Sequence, residues 1–93
     1  MKYTYFIYSH QTGLTKIGLT DDPQRELDSL GMKYKHMAIG LIKGDSRSEM
    51  HDRFSQANCD GEWFRLTVKE MIEIQDEFGV ENGFKPEIRE EVA

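Results

Sequence analysis

Two tyrosines and one lysine near the start of the chain are well suited to acid–base chemistry. Tyr5 and Tyr8 lie in an aromatic-rich segment, and Lys16 lies in the next apolar segment. A phenol has a pKa of about 10 in water, so it is a poor base at neutral pH unless a cation or a metal-bound water lies beside it. Lys16 would supply that cation if it shared a strand face with a tyrosine.

The segments that carry these residues predict a β-hairpin. Residues 3–9 and 14–19 have the aromatic and β-branched content of strands, and a turn separates them. Because side chains alternate along a strand, Tyr5 shares a face with Lys16 only if the numbers of paired residues sum to an odd value. A three-residue loop would make these sums even and would place Tyr8 beside Lys16. Both registers remain open.

The remaining patterns predict an α+β fold. The elements after the hairpin are a helix over 23–30, a strand over 37–43, a helix over 44–57, a turn over 58–61, a short extended piece over 63–66 and a helix between Thr67 and Gly79. The order ββαβα(β)α predicts a small, mainly antiparallel sheet of three to four strands flanked by about three helices. The last helix begins with a Thr67–Glu70 capping box, and its expected stripe is Val68, Met71, Ile72, Gln75 and Phe78.

Length and charge limit the classes of protein that the chain can be. The 93 residues predict one domain over 1–79, followed by an acidic and mobile tail over 80–93. Residues 1–69 carry a net charge of +1 and residues 70–93 a net charge of −6. This argues against a general polyanion binder and leaves room for a local basic face. One cysteine excludes a disulfide framework, and the lack of a signal-like or membrane-spanning run predicts a cytoplasmic protein with no membrane partner.

A basic and aromatic segment before the third strand is the best candidate for contacting nucleic acid. Lys33, Lys35 and His36 surround Tyr34, and Arg47 follows at the start of the next helix. Such side chains bind phosphates and stack on bases. A solvated loop is the alternative interpretation of the same segment.

Five short motifs, in order over residues 3–75, resemble the GIY-YIG nuclease superfamily, in particular its compact branch common in phage genomes. The motifs are Tyr5-Phe6-Ile7-Tyr8, Lys16-Ile17-Gly18-Leu19-Thr20, Pro23-Gln24-Arg25, His51-Asp52-Arg53-Phe54 and Gly61-Glu62-Trp63-Phe64. Five motifs in register are specific for the fold, although each alone is weak. In the last motif, Trp63 and Phe64 are expected core anchors, and Glu62 is expected to form a structural hydrogen bond.

The resemblance implies a DNA endonuclease that hydrolyses phosphodiester bonds with one divalent metal ion, Mg²⁺ or Mn²⁺. It implies that Tyr5 activates water, that Arg25 holds the phosphate and that Lys16 balances charge. Tyr8 and His51 are further catalytic candidates. No small-molecule cofactor is implied. DNA is the implied partner, and a protein partner would supply the target specificity that most family members gain from additional domains.

One position departs from the family pattern. The metal-binding Glu of this branch usually lies four residues before the helix His, so that both share a helix face. Here Arg47 occupies that position relative to His51. Glu49 is the remaining candidate for the metal ligand, but it lies roughly 200° around the helix from His51. Glu49 also fits a capping box with Ser46, and His51 fits a packed histidine.

Three hypotheses follow from this departure. The first is a metal-dependent endonuclease in which Glu49 holds Mg²⁺ and Tyr5 assists the attacking water. The second is a catalytically degenerate GIY-YIG-like module that binds nucleic acid or a protein without cleavage; Arg47 and the low sequence pI of about 5.1 favour it. The third is a small interaction protein that uses its acidic tail.

Overall fold

The N-terminal hairpin forms from the two segments with the highest strand propensity. In the computed structural model, which describes residues 1–30 and 35–80, strand β1 (Tyr3–Ser9) pairs antiparallel with β2 (Thr15–Thr20). The loop between them closes through the Gly13 amide, which donates to the Ser9 carbonyl at 2.8 Å. Gly13 has a φ of +75°, a conformation that glycine adopts at little cost. In the hairpin that results, the numbers of two paired residues, such as Tyr5 and Gly18, always sum to an odd value.

Three further strands extend the hairpin into one antiparallel sheet. They are β3 (His36–Lys43), β4 (Asn58–Asp60) and β5 (Trp63–Phe64), and the strand order is β3-β1-β2-β5-β4. The α+β prediction is confirmed, but within the two described ranges the sheet has five strands rather than three to four. The difference is β4, whose residues the sequence assigned to a turn. They pair with β5 across a tight turn in which Gly61 has a φ of +58°.

The helices begin at caps that can be recognised in the sequence. Helix α1 (Pro23–Ser29) is capped by Asp22, and α3 (Val68–Phe78) has the predicted Thr67–Glu70 capping box. Helix α2 (Arg47–Arg53) is shorter than the predicted helix over 44–57, because the chain continues as a 3₁₀ helix over Ser55–Ala57. The Ser46 side chain makes no cap hydrogen bond, so the predicted capping box between Ser46 and Glu49 is wrong.

The sheet separates two apolar clusters. On the face covered by α2 and α3, the α2–α3 face, eight buried side chains pack together: Phe6, Ile17, Ile39, Met50, Phe54, Phe64, Leu66 and Ile74. On the face covered by α1, the α1 face, Tyr5 and Ile7 pack with Leu27. Val80, which the sequence assigned to the tail, packs against this second cluster.

Helix α3 uses a narrower apolar stripe than the sequence predicts. Ile74 is fully buried, whereas Val68 and Ile72 are 69% and 51% exposed. Phe78 stacks on Phe6 with ring centroids 5.9 Å apart. The helix meets the sheet along the side that carries Ile74 and Phe78. The prediction was wrong for Val68, Ile72 and Gln75, which are exposed and project away from this contact, and it omitted Ile74.

Two predicted features lie outside the described residues: Lys33 and Tyr34 of the basic and aromatic segment, and the part of the acidic tail that begins at residue 81. Within the described ranges, none of the helices is long and apolar enough to cross a membrane.

Candidate functional site

The register of the hairpin places Tyr5 and Lys16 on the α1 face. Tyr5 pairs with Gly18, which is two residues from Lys16 on the same strand, so both side chains project from one side of the sheet. The Lys16 ammonium lies 5.9 Å from the centroid of the Tyr5 ring, within the range of a cation–π contact. Tyr8 packs against the α2–α3 cluster on the other face. The register with Tyr8 beside Lys16 is therefore excluded.

Gly18 leaves the space that the Tyr5 ring occupies. A Cβ atom at position 18 would collide with the ring and hydroxyl of Tyr5. The glycine of the Lys-Ile-Gly motif thus allows the tyrosine to lie flat across β2. The close packing of the Tyr5 ring on Gly18 therefore explains why a glycine stands opposite the tyrosine in this motif.

The Tyr5 hydroxyl is buried and surrounded by charges. The residue is 2% exposed, and its hydroxyl donates a hydrogen bond to Glu26 Oε1 at 3.3 Å. Burial raises the pKa of the Tyr5 phenol far above its ordinary value, the negative charges of Glu26 and Glu62 raise it further, and the charge of Arg47 opposes them. The phenol is therefore protonated at neutral pH and acts as a hydrogen-bond donor.

Arg47 is the first residue of α2, and its guanidinium is the positive charge that opposes the rise in the Tyr5 pKa. It forms a salt bridge of 3.2 Å with Glu62, which lies in the turn between β4 and β5. The backbone also holds Glu62, whose carbonyl accepts a hydrogen bond of 2.9 Å from the Ile17 amide. The Tyr5 site, as it is called below, consists of Tyr5, the Lys16 side chain over its ring, the Glu26 carboxylate on its hydroxyl, and the Arg47–Glu62 pair whose charges act on its pKa.

The Tyr5 ring lies along the part of β2 that does not pair with β5. β5 pairs with β2 only at Thr15 and Lys16. Beyond them, His51 Nε2 donates to the Ile17 carbonyl at 2.8 Å, and the His51 ring meets Phe64 edge to face at 4.8 Å. These contacts fit the packed-histidine interpretation of His51. The two contacts of His51 hold α2 against β2, and they thereby position Arg47, which lies four residues before His51 on the same helix.

The structure does not bring Arg25 and Glu49 into the Tyr5 site. The Arg25 side chain is 68% exposed and lies 3.4 Å from Asp21 Oδ1 and 3.9 Å from Asp22 Oδ2. Glu49 is exposed on α2, and its charge acts on Arg53. The carboxylates that raise the pKa of Tyr5 belong to Glu26 and Glu62 instead.

The predicted nucleic-acid contacts fall into two groups. Arg47 belongs to the Tyr5 site, whereas Lys35 and His36 lie at the start of β3, near the β1–β2 loop. The Lys35 carbonyl accepts a hydrogen bond of 2.6 Å from the His10 amide, and the Lys35 side chain is exposed. His36 pairs with Ser9.

Sequence reasoning missed Glu26 as a site residue and assigned Glu62 only a structural bond. Glu26 directly follows the candidate Arg25 in α1. Adjacent helix residues point about 100° apart, so the side chain that faces Tyr5 is that of Glu26 and not that of Arg25. Glu62 belongs to the Gly-Glu-Trp-Phe motif and its carboxylate pairs with Arg47. Charge complementarity with Arg47 could have identified Glu62, whereas the partner of Glu26 is the neutral Tyr5 hydroxyl, which no charge pattern in the sequence indicates.

No protein-family model, curated protein or solved structure matches this chain. The likeness to GIY-YIG nucleases therefore rests on the five motifs and stays a prediction.

The Tyr5 site in its present arrangement does not fit the metal ion that the resemblance implies. Among the described residues, no group of three His, Cys, Asp or Glu side chains is placed to hold a metal. Mg²⁺ needs one or two carboxylates with waters and phosphate oxygens, so the test is whether a carboxylate is accessible to it. Glu62 is paired with Arg47, and Glu26 accepts the Tyr5 hydroxyl. The Arg47 guanidinium would repel a divalent cation beside Glu62.

Proposed function

We propose that this chain is a GIY-YIG-like module that binds the phosphodiester backbone of DNA and does not cut it. The observation that carries the proposal is the Arg47–Glu62 salt bridge, whose two charges act on the pKa of the buried Tyr5 phenol. In the family pattern, a metal-binding carboxylate occupies the position of Arg47. Here a guanidinium supplies the positive charge at that position.

The two cations of the Tyr5 site have the chemistry that phosphate recognition needs. Arg47 can bind a phosphate through two parallel N–H···O bonds, and Lys16 can do so as a point charge. The Arg47–Glu62 pair is partly exposed, with 44% of the Arg47 side chain accessible. An exposed pair of this kind contributes about 0–1 kcal/mol, so a phosphate can displace Glu62 at small cost.

The charge of the whole chain limits this binding to a local contact. The net charge is −5, which opposes general attraction to a polyanion. Lys16, Arg47 and the exposed Lys35 would each neutralise about one phosphate. The logarithm of the binding constant would then fall with the logarithm of salt concentration with a slope of about −2.7 for duplex DNA.

The binding test compares single cation variants. Fluorescence anisotropy of an end-labelled DNA duplex, measured over a series of salt concentrations, gives the affinity and its salt slope. Arg47→Ala and Lys16→Ala are each expected to weaken binding at low salt and to reduce the slope by about 0.9. Lys69→Ala, which removes an exposed lysine at the start of α3, is the control and should match wild type. Equal affinities for all four proteins would refute the proposal.

A metal-dependent endonuclease is the second candidate. The hydrogen bond from Tyr5 to Glu26 favours it, because a carboxylate beside the hydroxyl can accept the proton of a phenol that assists hydrolysis. A nicking assay on supercoiled plasmid with Mg²⁺ or Mn²⁺ separates the two candidates. Our proposal expects both the wild-type protein and Tyr5→Phe to leave the plasmid intact. Nicking by wild type that is lost in Tyr5→Phe would establish the endonuclease instead.

The variant Arg47→Glu adds a second test to the nicking assay, because it restores the carboxylate of the family pattern. If Arg47 is the reason for the loss of cleavage, Arg47→Glu should gain metal-dependent nicking while its metal-free DNA binding falls. The double variant Tyr5→Phe/Arg47→Glu is the control for contaminating nucleases and should not nick.

A further inference from the structure

A separate cavity lies on the α1 face, at the hairpin end of the sheet. Its walls are Ser9 and Leu14 from the hairpin, His36 from the start of β3 and Trp63 from β5. Its volume is about 290 Å³, near the lower end of roughly 300–1,000 Å³ for small-molecule pockets. A cavity of this size suits one planar ring system better than a large cofactor.

The cavity combines an aromatic wall with a polar rim. Trp63 and Leu14 are the apolar side chains that line it, and Gln11, Thr12 and Asp60 are exposed residues that also line it. Unpaired bases bind proteins in this way, with the base stacked on an aromatic side chain and its polar edge hydrogen-bonded to side chains.

Strand pairing connects the cavity to the Tyr5 site. Trp63 pairs directly with Lys16, so the two side chains lie on the same face about 4.5–5.5 Å apart at their Cβ atoms. Lys16 in turn lies over the Tyr5 ring. A nucleotide whose base enters the cavity would therefore have its phosphate near Lys16.

We infer that this cavity binds one unpaired nucleobase of a single-stranded or distorted DNA segment, while the Tyr5 site holds the adjoining phosphate. The inference rests on the proposed DNA binding and names the class of DNA that the module prefers. The exposed Asp60 carboxylate is an acceptor only. It favours bases that carry an exocyclic amino group, such as cytosine, over thymine, because the single donor of thymine, N3–H, lies between two carbonyl oxygens that repel a carboxylate.

Trp63 provides a direct readout, because it is the single tryptophan in the chain. The experiment titrates the full chain with a short deoxycytidine oligonucleotide and with an abasic oligonucleotide of equal length and charge. Tryptophan fluorescence reports stacking, and anisotropy of an end label reports binding. We expect the cytidine oligonucleotide to change the Trp63 emission and to bind on the order of tenfold more tightly than the abasic one.

Base preference tests the role of Asp60. Wild type is expected to bind the deoxycytidine oligonucleotide more tightly than a deoxythymidine one, and Asp60→Asn should reduce or reverse this preference because an amide can donate to thymine. Asp76→Asn removes the same charge from an exposed position on α3 and should keep the wild-type preference. If both variants change the preference equally, the effect is one of net charge, and the assignment of Asp60 fails.

The outcomes separate this inference from the proposed function. Salt-sensitive binding of equal strength to the cytidine and abasic oligonucleotides, without any change in Trp63 emission, would overturn the base pocket and leave phosphate binding in place. A lack of binding to either oligonucleotide and to duplex DNA at low salt would overturn both.

Discussion

At the scale of single residues, the phenol of Tyr5 is the group most changed by its surroundings. It is buried, it donates to Glu26, and it lies under Lys16. Burial and the negative charges of Glu26 and Glu62 favour the neutral phenol, which suits a donor that binds a phosphate oxygen. They oppose a phenolate, which a metal-free general base would require.

The raised pKa of Tyr5 predicts a specific loss of stability at high pH. Because the folded protein holds this proton to a higher pH than the unfolded chain does, the stabilisation is complete below pH about 10 and is lost as the pH rises above it. The loss reaches up to about 1.4 kcal/mol per pH unit. Urea unfolding between pH 8 and pH 11 should show a smaller decline for Tyr5→Phe than for wild type. Tyr3→Phe, on the same strand, should retain the wild-type decline; an unchanged decline in Tyr5→Phe would contradict the prediction.

Gly18 should be coupled energetically to Tyr5. A methyl group at position 18 would collide with the tyrosine ring, so Gly18→Ala should cost about 1–3 kcal/mol of unfolding free energy. In a Tyr5→Ala background the same substitution should cost much less, giving a coupling energy above about 0.5 kcal/mol in a double-mutant cycle. Additive costs would show that the ring can move aside.

At the scale of elements, the junction of α2 with β2 positions the candidate site. His51 donates to the Ile17 carbonyl and packs on Phe64, while Arg53 forms two hydrogen bonds with Glu77 of α3, at 3.0 and 2.7 Å. Helix α2 is therefore attached to the sheet on one side and to α3 on the other. This attachment places Arg47 beside Glu62.

Loss of the His51 contact should affect both stability and binding. His51→Ala leaves the Ile17 carbonyl without its partner and removes a packed ring, so we expect a loss of about 1–3 kcal/mol in urea unfolding. DNA affinity of the folded fraction should also fall, because Arg47 depends on the same helix. Asp52→Ala, an exposed neighbour on α2, is the control. Normal DNA affinity in His51→Ala would show that α2 is positioned by its other contacts.

At the scale of the whole molecule, charge is divided unevenly along the chain. Residues 1–69 sum to +1, and residues 70–93 sum to −6. The Tyr5 site belongs to the first part. The acidic part should therefore weaken binding to DNA through a long-range repulsion that salt screens.

Deletion of residues 81–93, which carry a net charge of −2, tests this effect. The shortened chain should bind duplex DNA more tightly than the full chain at low salt, and the difference should vanish at high salt. A scrambled segment of the same composition is the matched control and should restore the full-chain affinity. If the deletion leaves low-salt affinity unchanged, the acidic segment has another role, such as binding a basic protein partner.

Most of the local structure follows from short sequence patterns. The aromatic and β-branched segments form β1 and β2, Asp22-Pro23 begins α1, and the Thr67–Glu70 capping box begins α3. These features depend on residues within about four positions of one another, where propensity and spacing decide the conformation. The α+β class follows from the order of such elements.

The register of the hairpin and the set of residues that form the candidate site depend on tertiary packing. Tyr5 and Glu26 are 21 residues apart, and Arg47 and Glu62 are 15 residues apart. Such pairs depend on how α1, α2 and the β4–β5 turn pack on the sheet, which no local spacing specifies. For this reason the sequence favoured Arg25 and Glu49, whereas folding brought Glu26 and Glu62 close enough for their charges to act on the tyrosine.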